Sequence, residues 1–489
     1  MTAVAERAGS AVEVEGERVG RFAWLRERGM GATILVSAIS VAFGVFLISA
    51  TRYLALVMSS TPTYGTSDTL AMIVAILGML LLAVAVYVAA IVTSNTFATI
   101  VAGRTRRIAL MRLIGASARS QRSEIARQGL AVGAIGSAVG LGLAIAAVAA
   151  GLPLVDVVLG QSVAGEVGVQ PAVVLPAVAV TLTTWAASWI GARRVLTVTP
   201  LQALGGSVEQ THEEVAGRRG RNAVTLALGA VGVALLVGGL LIGLVSPLGV
   251  IVAFFGGLFS FTALSLSAAA IMPPLLRLTG RVFGRSTTAR LAAQNALRYP
   301  ERSSRMAIGV VMGVALVTMF GVAAESAKVL VNASGGGEPD VYFSQMVDAF
   351  AGVMMGLVAV SAVIAGVGLV NLLTIGVVQR RRELGLLRAL GLTTVQVRRM
   401  VLLEAAHVTI TALAFGLVWG TVYGWIAAQS VLGSVPMPPS WMSPTFVLPA
   451  VPLVPTLIVA LATAVLTLVA AVVPTRLATR ATPVEALAE

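Results

Sequence analysis

Apolar runs of helix-spanning length dominate the chain, and short polar intervals separate them. A membrane-spanning helix needs about 20 mostly apolar residues. Ten stretches meet that condition, at about 31–55, 70–94, 129–151, 171–191, 224–245, 248–272, 307–331, 350–377, 404–430 and 450–473. The fourth and tenth begin near prolines (Pro171 and Pro176; Pro449, Pro452 and Pro455), which suit a helix start and weaken a helix further in. The pattern predicts an all-α polytopic membrane protein.

The polar intervals carry the charge asymmetrically. Five arginines precede the first run; seven lie in 104–127, five in 193–221, seven in 277–305, six in 380–399 and two in 476–480. If every run crosses, all of these fall on one side, and only Arg52 and Lys328 lie elsewhere. The opposite intervals hold Asp68, Asp156, Glu166, Glu338, Asp340 and Asp348. Basic residues concentrate in cytoplasmic loops, so both termini are expected in the cytoplasm of a bacterial cytoplasmic membrane. Residues 1–28 are polar and mixed in charge, without the short apolar core and cleavage signature of a secretory signal. The first run is therefore expected to remain as an anchor.

Composition agrees. Of 489 residues 57% are hydrophobic and 11% charged, against about 25% charged in soluble domains. The net charge of +13 is accounted for by orientation, and no aromatic-basic interleaving accompanies it, so nucleic acid is not expected as a partner. The absence of cysteine excludes disulfides and thiolate metal sites. His212 and His407 lie too far apart in sequence to suggest a metal cluster.

Sliding the chain along itself until Gly115 falls on Gly391 superposes two charged blocks, 103–115 and 379–391. The same offset places Asn95 on Asn371, Arg104 on Arg380, Arg106 on Arg382, Arg112 on Arg388 and Arg122 on Arg398. Near the end of each unit, 192–204 echoes 475–487, with Pro200 on Pro483. Each unit thus reads as four spans with a charged block between its second and third. Six spans separate equivalent helices, so the repeat is parallel, about an axis along the membrane normal. The expected layout is about ten helices: a cytoplasmic segment and elbow helix at 1–29, a four-helix repeat at 30–204, a two-helix linker at 205–286, and a second elbow helix and repeat at 287–489. The outer intervals, about 56–69 and 332–349, leave no room for a large extracytoplasmic domain.

Within each block an apolar stripe (Leu384, Leu387 and Leu390; Ile108, Leu110 and Met111) runs beside the arginines. Gly391 and Gly115 fit left-handed helix stops, and Thr393 or Thr394, and Ser117, fit the next N-cap. An arginine costs about 2.5–3.5 kcal/mol at mid-bilayer on insertion scales, so the blocks must lie in or project into the cytosol. Anionic headgroups need basic residues in no particular order. The retained order of arginines, glycine stop and cap favours docking onto a partner that is itself two-fold, with membrane lipids as the simpler alternative contact.

The stretch Arg380-Arg-Arg-Glu-Leu-Gly-Leu-Leu-Arg-Ala-Leu-Gly391, the following Gln396 and Glu404, and Thr482-Pro-Val-Glu-Ala-Leu487 resemble the FtsX-like, MacB-type permeases of ATP-binding cassette (ABC) transporters. The ten-span layout is similar to the bacitracin-export type. The resemblance implies a separate ATPase, in two copies, docking on Arg104, Arg106, Arg107, Arg112, Gly115, Arg380, Arg381, Arg382, Glu383, Arg388, Gly391 and Glu404. It also implies export or extraction of an amphipathic, lipid-like or antimicrobial substrate. The first copy departs from the pattern at Arg107, where the second has Glu383, and at Gln128, where it has Glu404. ATP and Mg would be bound by the partner and no cofactor by this chain, whose one lysine, Lys328 in Ala-Lys-Val, is not in a phosphate-binding loop. The chain is therefore not expected to be an enzyme.

Arg52 and Glu325 sit near the outer ends of repeat-equivalent spans and form a candidate outer gate, weighed against simple snorkelling to the interface. An ion-gradient-driven secondary transporter, the main alternative, calls for mid-span carboxylates, and the spans hold almost none. A signalling or force-transmitting complex that transports nothing is a third reading. Asn332-Ala-Ser334 matches a glycosylation sequon by chance.

Overall fold

The structure is a computed structural model. It describes residues 30–59, scattered positions from 76 to 111, 113–159, most of 162–193, 219–281, 286–298, 300–334, 381–436 and 444–480. Every element among these is helical. We number them α1 (Met30–Ser59), α2 (Ala118–Leu159), α3 (Ala164–Val167), α4 (Val174–Gly191, preceded by a 3-10 turn at Pro171–Val173), α5 (Arg219–Gly243) and α6 (Gly249–Gly280). Then follow α7 (Thr287–Arg298), α8 (Pro300–Ser334), α9 (Arg381–Ala389), α10 (Thr394–Leu432) and α11 (Leu453–Arg480).

Seven of the described helices are long and apolar enough to cross a membrane, and a shorter apolar helix covers Leu453–Val469. The protein is an all-α, multi-pass membrane protein. About half of the expected span at 70–94 and all of that at 350–377 lie outside the described residues; the described positions from 76 to 97 are helical. Pro171 and Pro176 do what the sequence suggests: Pro171 opens the 3-10 turn and Pro176 sits in the first turn of α4. Before α11 the chain is non-helical over 445–452, and Pro455 lies in the helix's first turn.

α2 and α10 are longer than the expected spans, with 42 and 39 residues. At 1.5 Å per residue each reaches about 60 Å, twice the hydrocarbon core of a bilayer. The reason is local. Ser117 and Thr393 start each helix well before its apolar run, and nothing between cap and run breaks it.

α1 packs on α2 and α4, and α8 packs on α10 and α11. The α1–α2 crossing is close because Gly140 has no side chain: a Cβ there would strike the backbone of Ala38. In the α8–α10 crossing a Cβ on Gly416 would sit 2.9 Å from Cβ of Val314. The offset that carries Gly115 onto Gly391 also carries Gly140 onto Gly416 and Ala38 onto Val314. A second contact recurs almost in register. A Cβ on Gly44 would lie 2.7 Å from Pro176, and one on Gly321 would lie 3.0 Å from Pro452. Small residues let backbones approach where lipid supplies no hydrophobic drive between helices.

α5 and α6 also pack closely. Cβ atoms on Gly232, Gly239 or Gly256 would come closer than 3.0 Å to the facing helix. The largest buried cluster combines α6 (Phe261, Leu264, Met272, Leu276), α8 (Val310, Val311, Val314, Val317) and α10 (Ala405, Val408, Ala412, Tyr423), and Val36 of α1 joins it.

Candidate functional site: the two helix–turn–helix corners

The turn at Gly391 is built from backbone first. Gly391 has φ +105°, and Gly115 has φ +104°, the left-handed region where an L side chain is strained. In the second corner Leu392 N donates to Leu387 O (3.1 Å) and Leu390 N to Leu386 O (2.9 Å). In the first, Ala116 N donates to Met111 O (2.9 Å) and Ile114 N to Leu110 O (3.2 Å). These are the same bonds at the repeat offset, and the closure from Leu392 back to Leu387 is the Schellman stop.

The next helix is capped in the same register. Thr393 Oγ1 accepts from Gln396 N (3.3 Å), and Gln396 Oε1 accepts from Thr393 N (2.8 Å), a complete capping box. Ser117 Oγ accepts from Ser120 N at 3.1 Å. Ser120 occupies the place of Gln396 and is too short to bond back across the turn, so the first corner has only half of the box. Thr393 is thereby identified as the cap, in preference to Thr394.

Each corner is seated by buried apolar groups on the start of the long helix. In the first, Ile108 packs with Met30, Phe97, Ile125 and Val132. In the second, Val397, Met400 and Val401 pack with Ala292 of α7, and Leu387 and Leu392 lie against them. Within the stretch expected to hold the second elbow helix, α7 ends at Arg298 and packs on α10.

The apolar stripe needs correction. Ile108 is buried and Leu387 half-buried, but Leu110, Met111 and Leu390 are exposed, and the Leu384 side chain lies outside the described residues. Ile114 and Leu390, equivalent residues just before the two glycines, are 79% and 72% exposed. Their exposure follows from the turn: a left-handed stop turns the chain back, so the residue just before the glycine points away from the helix the corner packs on. The sequence signal was present, an apolar residue directly before the stop glycine, and the periodicity of the stripe hid it.

Of the charged candidates, Arg381 and Arg382 lie in α9, Glu383 is exposed and Arg388 half-buried. Glu404 is 5% exposed on α10, buried rather than presented at a surface. Arg104, Arg106, Arg107, Arg112 and Arg380 lie outside the described residues. One arginine not among the candidates is firmly held: Arg122 stacks 3.4 Å over the Trp189 ring, and its Nε donates to the Trp189 carbonyl at 3.0 Å. It caps the end of α4.

The structure does not bring Arg52 and Glu325 together as an ion pair. Arg52 Nη2 reaches the carbonyl of Glu166 at 3.5 Å, within its own helix group. Beside it, Tyr53 donates to Asp156 (2.9 Å).

The family model described as FtsX-like permease, C-terminal, matches the chain in two segments, 79–200 and 355–483, which together exceed half its length. The starts of the two segments are separated as Gly115 is from Gly391, and their ends as Pro200 is from Pro483. No curated protein matches the chain.

Proposed function

The chain belongs to the FtsX-like permease family, and from that premise we propose that it is the membrane-spanning subunit of an ABC transporter driven by ATPases made as separate chains. The proposed layout is ten spans in two parallel four-helix repeats, about 30–204 and 287–489, with the linker at 205–286 and both termini in the cytoplasm of a bacterium. Each corner receives one copy of the ATPase, and ATP and Mg are bound there, not in this chain.

One observation carries this reading. Two corners of matching backbone geometry each present an exposed aliphatic residue, Ile114 and Leu390, beside arginine-rich stretches of sequence that a bilayer core rejects. An apolar tip surrounded by basic residues suits an apolar cleft with an acidic rim on another protein. Inner-leaflet headgroups would attract the arginines as well, but they place no demand on the matched pair of tips. The long helices α2 and α10 begin at the corners, so force applied there passes along one continuous helix into the membrane. ATPase closure would draw the two corners together and rock the repeats against each other. The cargo consistent with so apolar an interior is amphipathic or lipid-like, exported or extracted from the membrane.

Purification from a membrane extract tests the reading. The wild type should bring an ATPase with it, and Leu390→Glu combined with Ile114→Glu should lose it while the permease remains folded. Retention of the ATPase by that variant would refute the docking claim.

A further inference from the structure

The two linker helices need not belong to either repeat, yet their contacts are lopsided. α6 is bonded to the second repeat at several depths. Toward its C-terminal end, His407 on α10 meets the Leu276 carbonyl (3.0 Å) and Thr279 Oγ1 (3.0 Å), and Thr279 Oγ1 meets Thr411 Oγ1 (2.7 Å). Ser304 of α8 donates to Ala268 O at 3.0 Å. Nearer its other end, Ser260 bonds the Tyr423 hydroxyl (2.9 Å), and the Phe261 and Tyr423 rings lie 6.4 Å apart. At the α5–α6 turn, Gly243 is so close to Ser430 that a Cβ would strike its backbone.

Toward the first repeat, the polar join among the described residues centres on one side chain. The Tyr87 hydroxyl bonds Thr262 Oγ1 (2.7 Å) and reaches Leu258 O (3.4 Å). Around it the join is apolar, with Val36, Ile39, Val84 and Ile91 against the central cluster. Among the described helices, α1–α4 pack along one another and α5–α11 along one another.

We infer that α5 and α6 move with the second repeat as one body, so that the working joint of the permease is the Tyr87–Thr262 seam. This rests on the two-repeat, ATPase-driven reading above. The four-helix body would then slide or tilt against a body of six helices, and the symmetry of the repeat would not extend to the motion. Apolar side-chain packing permits small sliding movements. The hydroxyl and imidazole bonds of α6 to α8 and α10, spread along the helix, hold register more firmly than the single Tyr87 side chain at the seam, because lipid offers such groups nothing in exchange.

The chain has no cysteine, so an introduced pair holds the permease's sole thiols, and the cysteine-free permease carried through the same treatment corrects for any effect on the ATPase. The test uses the full-length permease with its ATPase in lipid discs. One variant carries Thr279→Cys and Thr411→Cys, joined by oxidation. The other carries Tyr87→Cys and Thr262→Cys, joined by a short bifunctional thiol reagent. Each is compared with its own unlinked form, which cancels the effect of the substitutions. Linking 279 to 411 should leave ATP turnover within about twofold, and linking 87 to 262 should lower it about tenfold or more. A large loss from the first link, or none from the second, overturns the inference. If the unlinked permease recruits no ATPase, the functional reading fails instead. The seam is then judged by spin-label distances in the same discs. Pairs across Tyr87–Thr262 should show broader distributions than pairs between α6 and α10, and equal widths overturn it.

Discussion

Gly391 and Gly115 concentrate the chemistry of the corners at single residues. Each holds a φ near +105°, and neither has a neighbour that a Cβ would strike, so the penalty for a side chain is conformational alone. Gly391→Ala should cost about 1–2 kcal/mol, and Gly391→Asn less, since asparagine tolerates the left-handed region; thermal unfolding in detergent measures both. Thr393→Ala removes a complete capping box and should cost about 0.5–2 kcal/mol, with Thr393→Ser restoring most of it. Ser117→Ala should cost less, because the first corner has only the forward bond. The two glycine stops were legible from order in the sequence, as was the Ser117 cap. The exposure of Ile114 and Leu390 was not, because helical periodicity predicts which residues share a stripe and not how a left-handed stop re-aims the last of them. The burial of Glu404 was equally hidden, since a carboxylate one turn from His407 reads as a surface group until the packing of α10 is known.

At the scale of elements, the membrane helices announce themselves by length and composition, and their boundaries do not. α2 and α10 run past their apolar segments because a cap starts a helix wherever it stands, while hydropathy marks only the part in lipid. The crossings α1–α2 and α8–α10 depend on Gly140 and Gly416. Gly136 and Gly140, four residues apart on α2, both meet α1, but the choice of Ala38 and Val314 as the positions opposing Gly140 and Gly416 needs three dimensions. Gly416→Leu forces the helices apart and should destabilise by about 1–3 kcal/mol or more. Gly257→Leu, where nothing lies within 4 Å, should change little. The comparison is read from unfolding temperatures of the two variants in one detergent. The candidate gate shows the limit of equivalence arguments. Arg52 and Glu325 occupy related positions, yet Arg52 has a nearer partner in the Glu166 carbonyl.

For the whole molecule, repetition and its breakage matter together. Stops, caps and crossings recur at one common offset, which favours a partner presenting two like surfaces. The half capping box of the first corner and the attachment of α5 and α6 to the α8–α10 side depart from that symmetry. They predict unequal corners: Leu390→Glu should weaken ATPase recovery more than Ile114→Glu, because the better-capped corner holds its tip more rigidly. Whether both corners seat an ATPase is decided by co-purification from membranes. ATPase should be recovered with the wild type, reduced with either single variant, and lost with Ile114→Glu and Leu390→Glu together, at unchanged permease yield and unfolding temperature. Full ATPase recovery with the double variant would contradict docking at the corners.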